Sequence, residues 1–116
     1  MSRLLLFLLF AAVSFSGCAQ QPLYAWGPFE NVISRILQGG YNVNGEILRM
    51  EQFGREAAMR GQKLPPGYHA QLGLLYAEAG NEDRMEVEYM QEKDLYPPSG
   101  TFMDFLLSNR EAGYGK

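Results

Sequence analysis

The sequence predicts an all-α domain, a small array of about five helices arranged as hairpins after a cleaved signal peptide. Apolar residues recur at helical spacing in several segments, and glycine and proline turns separate those segments. The stretch from Pro65 to Pro98 holds two such segments joined by one tight turn. We therefore expect the rest of the domain to pack around this helical hairpin.

The first segment of the chain is typical of an export signal. One arginine precedes an apolar run from Leu4 to Val13, and small residues then lead to Cys18, the only cysteine in the sequence. A permanent membrane helix needs about 20 apolar residues, so this shorter run is expected to be removed after delivery. A single cysteine cannot form an intramolecular disulfide, and the core alone must therefore stabilise the domain.

The residues at the end of this segment resemble the bacterial lipobox, in which the cysteine is acylated before the chain is cut on its N-terminal side. The four residues are Phe15, Ser16, Gly17 and Cys18, with phenylalanine at a position where leucine is usual. The resemblance implies cleavage between Gly17 and Cys18 and a lipidated Cys18. The alternative is a secreted protein with a free cysteine. Because Ala19 follows instead of aspartate, we expect the periplasmic side of the outer membrane, with the inner membrane as the second choice.

The charge of the chain argues against nucleic-acid binding. The formal net charge is −3, and it becomes about −4 without Arg3 of the signal peptide, whereas phosphate neutralisation needs a basic surface. Membrane attachment then depends on acyl chains at Cys18, each buried methylene contributing about 0.8 kcal/mol. The predicted division is a signal peptide (1–17), a lipidated N-terminus and tether (18–22), a helical domain (23–112) and a flexible tail (113–116).

The first predicted hairpin starts after an aromatic segment that contains Tyr24, Trp26 and Phe29. Its first helix covers Phe29 to Gln38, and a glycine- and asparagine-rich loop follows, from Gly39 to Gly45. The second helix is expected from about Glu46 to Arg60, with a close helix crossing at Gly54. The expected buried positions are Phe29, Val32, Ile33, Ile36, Leu37, Ile47, Met50, Phe53, Gly54 and Ala57.

The second predicted hairpin has Pro65 and Pro66 at its entrance and Gly80 at its turn. Asn81 is expected to cap the fourth helix, which Pro97 and Pro98 end. A terminal helix should follow, with a weak capping box formed by Thr101 and Asp104, and cover the last face of the array. The expected buried positions are Tyr68, Leu72, Leu75, Tyr76, Ala79, Met85, Tyr89, one of Leu95 and Tyr96, then Phe102, Phe105 and Leu106.

The spacing of five residues in the second hairpin resembles the tetratricopeptide repeat, whose period is about 34 residues. These residues are Leu72, Gly73, Tyr76, Tyr89 and Pro97, and the sequence departs from the repeat at His69, Met85 and Glu92. The resemblance implies a partner-binding face on the first repeat helix, formed by Ala70, Leu74, Ala77 and Glu78. Two generic packed hairpins remain the alternative, in which Leu74 only contacts a neighbouring helix.

A second resemblance covers most of residues 18–110. The stretches LYAWGPFE, LPPGYHAQLGLLYAEAGN and EKDLYPPSGTFMDFLL are similar to a family of short bacterial lipoproteins of unknown function. Members are often encoded beside a lipoprotein that looks like the curli secretion channel component. The resemblance therefore implies a place in an outer-membrane assembly, with that channel-like lipoprotein as a possible partner, and it supplies no catalytic residues.

The sequence predicts no catalytic, cofactor or metal site, because the chain has one histidine and one cysteine. We expect a packing role for His69. The acidic run on the second hairpin is interpreted as a solvated face; it comprises Glu78, Glu82, Asp83, Glu86, Glu88, Glu92 and Asp94. The predicted function is a lipid-anchored, non-enzymatic adaptor or assembly factor of an outer-membrane secretion or envelope complex. The alternative is an accessory or regulator of an envelope or cell-wall enzyme, without its own catalytic site.

Overall fold

The computed structural model describes Arg3, Gly17 and residues 22–113, so Cys18 and most of the predicted signal peptide lie outside the described residues. Between residues 22 and 113 the fold is all-α, as predicted. None of the helices in the described part is long and apolar enough to span a membrane. The elements are α1 (Phe29–Gln38), α2 (Val43–Met59), α3 (Tyr68–Glu78), α4 (Glu82–Leu95), a short 3-10 helix (Pro97–Ser99) and α5 (Gly100–Gly113).

Helix α2 begins earlier than the sequence predicts. The side chain of Asn42 accepts a hydrogen bond of 2.8 Å from the backbone N–H of Gly45, so Asn42 is the N-cap and Val43 starts the helix. The predicted glycine- and asparagine-rich loop is therefore wrong in its second half. Its remaining turn uses Gly39 and Gly40, whose φ angles of 76° and 74° are left-handed.

The turn of the second hairpin forms as predicted. Gly80 has a φ of 79°, and the side chain of Asn81 accepts a hydrogen bond from the backbone N–H of Arg84. The entrance differs, because α3 starts at Tyr68 and its N-cap is Gly67, with a φ of 91°. Pro65 and Pro66 thus precede the helix and do not belong to its first turn.

The core lies between the helices and contains most of the predicted positions. The predicted burial of Leu37 and Ala79 is wrong: Leu37 is 82% exposed, and Ala79 lies exposed just after the last residue of α3. Of Leu95 and Tyr96, the tyrosine is the partly buried one. The buried apolar residues are Ala25, Phe29, Val32, Ile47, Met50, Phe53, Ala57, Tyr68, Leu72, Leu75, Tyr76, Met85, Tyr89 and Met103.

Two glycines allow helices to approach closely. A Cβ atom on Gly54 would lie 2.6 Å from the hydroxyl of Tyr68, so the predicted crossing of α2 with the next helix is confirmed. A Cβ atom on Gly73 would lie 2.4 Å from the ring of Tyr89, which places the ring of α4 directly on the backbone of α3. Glycine therefore provides the close approach at both of these contacts between helices.

The prediction for α5 is wrong in its detail. The 3-10 helix runs directly into α5, so the helix starts at Gly100 and Thr101 cannot act as its N-cap. Asp104 instead accepts a hydrogen bond of 2.6 Å from Lys93. Because the helix starts at Gly100, the side chain of Met103 lies in the core. Phe102 and Phe105 are each 56% exposed and stack on one another. Leu106 is half-buried.

Candidate functional site

The four predicted partner-binding residues lie on one side of α3. Ala70, Leu74, Ala77 and Glu78 follow one another at helical spacing, and we call them the partner face. Leu74 is 40% exposed, Ala77 and Glu78 are exposed, and Ala70 is half-buried. The opposite side of α3 is fully occupied by core residues, which include Leu72, Leu75 and Tyr76. Leu74 is thus the large apolar side chain that α3 presents to solvent.

Tyr41 borders the partner face, and no sequence pattern predicts this position. Its hydroxyl donates a hydrogen bond of 2.6 Å to Oε2 of Glu78, linking the α1–α2 turn to the end of α3. This hydrogen bond raises the pKa of Tyr41 above its ordinary value. The two residues are separated by 37 positions along the chain, so no local pattern indicates the contact.

A polar network lies on the other side of α3, where the sequence predicted a solvated acidic face. His69 Nδ1 lies 2.7 Å from Oε2 of Glu88, and both residues are buried. Arg84 contacts the second oxygen of Glu88 at 3.1 Å and Glu51 at 3.4 Å. The solvated-face interpretation is therefore wrong for Glu88. His69 is part of the packed interior, as predicted, where its ring contacts Tyr68 and its Nδ1 lies against the carboxylate of Glu88.

Tyr76 completes this network. Its hydroxyl donates to Oε1 of Glu51, and the guanidinium of Arg84 lies 5.1 Å from the centre of its ring. Burial and, after it, the hydrogen bond to Glu51 raise the pKa of Tyr76, so the phenol remains a neutral donor. The tyrosine therefore anchors Glu51 and Arg84 in fixed positions.

The network lines an open cavity of about 320 Å³ between α2 and α4. Both oxygens of Glu88 are occupied, one by His69 and one by Arg84, while Oε1 of Glu51 accepts from Tyr76. Four residues that line the cavity, Glu51, His69, Arg84 and Glu88, are therefore joined in one network. Among the described residues no group of three or more His, Cys, Asp or Glu side chains is placed to hold a metal ion.

Glu92 is a second acidic residue that the solvated-face interpretation places wrongly, since it is 1% exposed. Its Oε1 accepts hydrogen bonds from the backbone N–H of Gly67 at 2.8 Å and from the hydroxyl of Ser99 at 3.3 Å. A carboxylate at this point meets the positive N-terminal end of α3. Glu92 thus joins α3, α4 and the 3-10 helix, which accounts for its departure from the small residue usual in the repeat.

Glu46 links the first two helices. Arg35 donates two hydrogen bonds of 2.8 Å to its two oxygens, and Arg49 lies 3.0 Å away. The carboxylate is 1% exposed, and its hydrogen bonds with Arg35 lower its pKa below the ordinary value. The sequence pattern predicted Glu46 only as the start of a helix. It did not predict the ion pair with Arg35, because a contact across eleven residues leaves no periodic signal.

A family model described as a domain of unknown function, DUF4810, matches residues 23–106, which is most of the chain. The protein belongs to this family. The match begins at the aromatic segment and reaches into α5, so the family corresponds to the helical domain described above. No curated protein and no solved structure matches the chain. The predicted membership of a family without a known function is confirmed, and the lipid anchor and the repeat-like descent remain predictions.

Proposed function

We propose that the protein is a lipid-anchored, non-enzymatic adaptor that helps an outer-membrane secretion or envelope complex to assemble. The observation that supports this best is the exposure of Leu74 in the middle of α3, a helix whose other sides are packed. The small residues Ala70 and Ala77 flank Leu74, and we assign this apolar stretch of α3 to a partner. The partner face is then the contact surface of the adaptor.

The shape and polarity of the partner face support the docking of a helix or an extended peptide. Ala70 and Ala77 are small and lie one turn to either side of Leu74, so the leucine projects above them. Glu78, held by the hydroxyl of Tyr41, provides a polar edge. A central apolar contact with a polar rim is the usual anatomy of a protein interface.

The proposed location rests on the sequence around Cys18. A lipidated cysteine would hold the domain at the periplasmic side of the outer membrane through several acyl chains, which bind far more stably than one. Replacing Cys18 with serine should yield an unprocessed or soluble exported protein when cells are fractionated. A processed Cys18→Ser protein that stays in the membrane fraction would contradict the anchor.

We assign the polar network a structural role, because the carboxylates of the cavity bind His69, Arg84 and Tyr76 and so join α2, α3 and α4. The second candidate function, an accessory or regulator of an envelope enzyme, would use the same partner face. The identity of the bound partner separates the two, and the family resemblance makes the channel-like lipoprotein the first candidate.

The experiment that tests the adaptor is photo-crosslinking in cells from position 74. Val87 on α4 provides a matched control, because its exposure of 43% is close to the 40% of Leu74. A photoreactive residue at 74 should attach to one envelope protein, and the same residue at 87 should not. Equal products from both positions, or a product from position 87 alone, would contradict the partner face.

A further inference from the structure

Exposed apolar and aromatic side chains also gather where the described domain begins. We call this group the aromatic surface; it comprises Leu23, Tyr24, Trp26, Leu95 and Tyr96. The ring of Tyr24 meets those of Trp26 and Tyr96 edge-on, with centroids 6.3 and 6.2 Å away. Leu23, Trp26 and Leu95 are 71%, 44% and 58% exposed. The aromatic surface thus joins the N-terminal segment to the end of α4.

This surface is fixed to the domain by backbone and ring contacts. Ala25 donates a backbone hydrogen bond of 2.8 Å to the carbonyl of Lys63, next to a single β-bridge between Tyr24 and Lys63. Trp26 stacks on the buried ring of Phe29, with centroids 6.3 Å apart. The rings of Tyr24, Trp26 and Tyr96 are therefore held in position before any partner binds.

The position of the aromatic surface along the chain decides what it faces. Only four residues separate Cys18 from Leu23, and five Cα steps span at most about 18 Å. If Cys18 carries acyl chains, as the proposed function requires, Leu23 is held within that distance of the anchor. The headgroup and interfacial layer on one side of a bilayer is about 5–8 Å thick, so the aromatic surface can reach it.

The chemistry of the aromatic surface fits the interfacial layer of a bilayer. Tryptophan and tyrosine are enriched at headgroup level, because their rings are amphipathic. Tyr24, Leu95 and Tyr96 border a cavity of about 350 Å³ that Lys63 also lines. A lysine there can keep its ammonium group at the lipid phosphates while its stem covers apolar surface.

We propose that the aromatic surface docks on the lipid bilayer, with Trp26 in the headgroup region, and that it gives the anchored domain one fixed orientation. The acyl chains attach the domain to the bilayer at one point only. The aromatic surface supplies a second contact, which fixes the orientation of the domain. The partner face on α3 is then presented in a constant direction to an assembling complex.

Trp26 is the only tryptophan in the sequence, so its fluorescence reports on this contact directly. The full protein, purified after export and processing in cells, is mixed with vesicles of phosphatidylethanolamine and phosphatidylglycerol, with and without brominated acyl chains. The Trp26 emission should move to shorter wavelength and lose intensity in the brominated vesicles. A tryptophan that stays in water would show neither change.

A matched control moves the reporter along α1. In the double variant Trp26→Phe, Leu37→Trp the phenylalanine keeps the stacking on Phe29, and the new tryptophan lies about 12 Å along the helix from that residue. Leu37 is 82% exposed, so the substitution is tolerated by the core. The brominated lipids should quench this reporter much less than Trp26. Equal quenching at both positions would overturn the docking.

Vesicle flotation separates this inference from the proposed function. A protein that does not float with the vesicles would contradict the lipid anchor and, with it, the docking. A protein that floats while Trp26 remains unquenched would contradict the docking alone. In that case the anchor stands, and the aromatic surface would be assigned to a protein partner.

Discussion

The two hairpins of the domain are stabilised in different ways. Helices α3 and α4 share the most extensive helix contact in the described part of the chain, with the ring of Tyr89 packed on Gly73. Helices α1 and α2 have a small mutual contact, and the ion pair between Arg35 and Glu46 connects them. The second hairpin is thus a packed unit, while the first depends on charge and on its contacts with the second. Substitutions in each hairpin should therefore fail for different reasons.

The largest loss of stability is expected from Leu72→Ala in the second hairpin. Leu72 is 3% exposed, and removing a buried leucine side chain costs about 2–5 kcal/mol. Chemical denaturation would measure this change. Leu74→Ala on the same helix is the matched control, since Leu74 is 40% exposed and its loss should cost much less. Similar denaturation midpoints for Leu72→Ala and the parent would show that this face of α3 is not the core.

The next largest effect compares one substitution in both hairpins. Gly73→Ala forces a Cβ atom against the buried ring of Tyr89 and should destabilise the protein by about 1–3 kcal/mol. Gly45→Ala, in the first turn of α2, places the new Cβ atom 3.4 Å from Asn42 and 3.6 Å from Arg49, which are ordinary contact distances. Because alanine favours helices over glycine, Gly45→Ala should stabilise by about 0.5–1 kcal/mol. Thermal melts that move in the same direction for both would contradict the packing difference.

A smaller and pH-dependent effect is expected at the ion pair of the first hairpin. Because the folded pKa of Glu46 is lowered, its contribution is complete above the unfolded pKa, about 4.3, and is lost as pH falls through the folded value. Glu46→Gln should therefore be less stable than the parent at pH 7. The difference between their melting temperatures should shrink as the pH falls from about 5 to about 3, because protonation of Glu46 removes the charge that Arg35 binds.

The control for this titration is Asp94→Asn, because Asp94 is exposed. Its melting temperature should follow that of the parent across the same pH range. A constant difference between the parent and Glu46→Gln at all pH values would mean that the charge of Glu46 does not stabilise the α1–α2 hairpin.

The sequence predicts the local features of this fold and misses the contacts between distant residues. Helix positions, the Gly80 turn and the core residues Leu72 and Tyr76 follow from periodicity and cap chemistry, which are local properties. The buried carboxylates Glu88 and Glu92 were missed, since each has a hydrogen-bond partner 19 or more positions away and charge alone predicts exposure. A departure from the repeat pattern at Glu92 was the available signal, because a carboxylate in place of a small residue requires a partner.

The start of α5 shows a second limit of local reasoning. The exposed positions of Phe102 and Phe105 depend on the phase of the helix, and that phase is set by the 3-10 helix before Gly100. Proline pairs predict an end of the preceding helix but not the number of residues before the next one starts. Met103 therefore occupies the buried position that the apolar pattern assigned to the two aromatic residues.

The smallest effect on stability, and the largest expected effect on function, belongs to Leu74→Glu. The Leu74 side chain is 40% exposed, and its replacement by glutamate removes no core contact comparable to that of Leu72. The melting temperature should therefore change little. A carboxylate in the centre of the partner face would have to be buried without a counter-ion when a partner binds, which strongly opposes association. Val87→Glu introduces the same charge at a side chain of 43% exposure on α4 and should leave both properties intact.

Co-purification of the crosslinked envelope protein from cells that carry each variant measures the binding, and thermal melts measure the folding. If Leu74→Glu unfolds the domain, Leu74 is a core residue and the partner face is wrong. If Leu74→Glu and Val87→Glu both retain the partner, binding takes place elsewhere, and the aromatic segment from Tyr24 to Phe29 becomes the surface to substitute next.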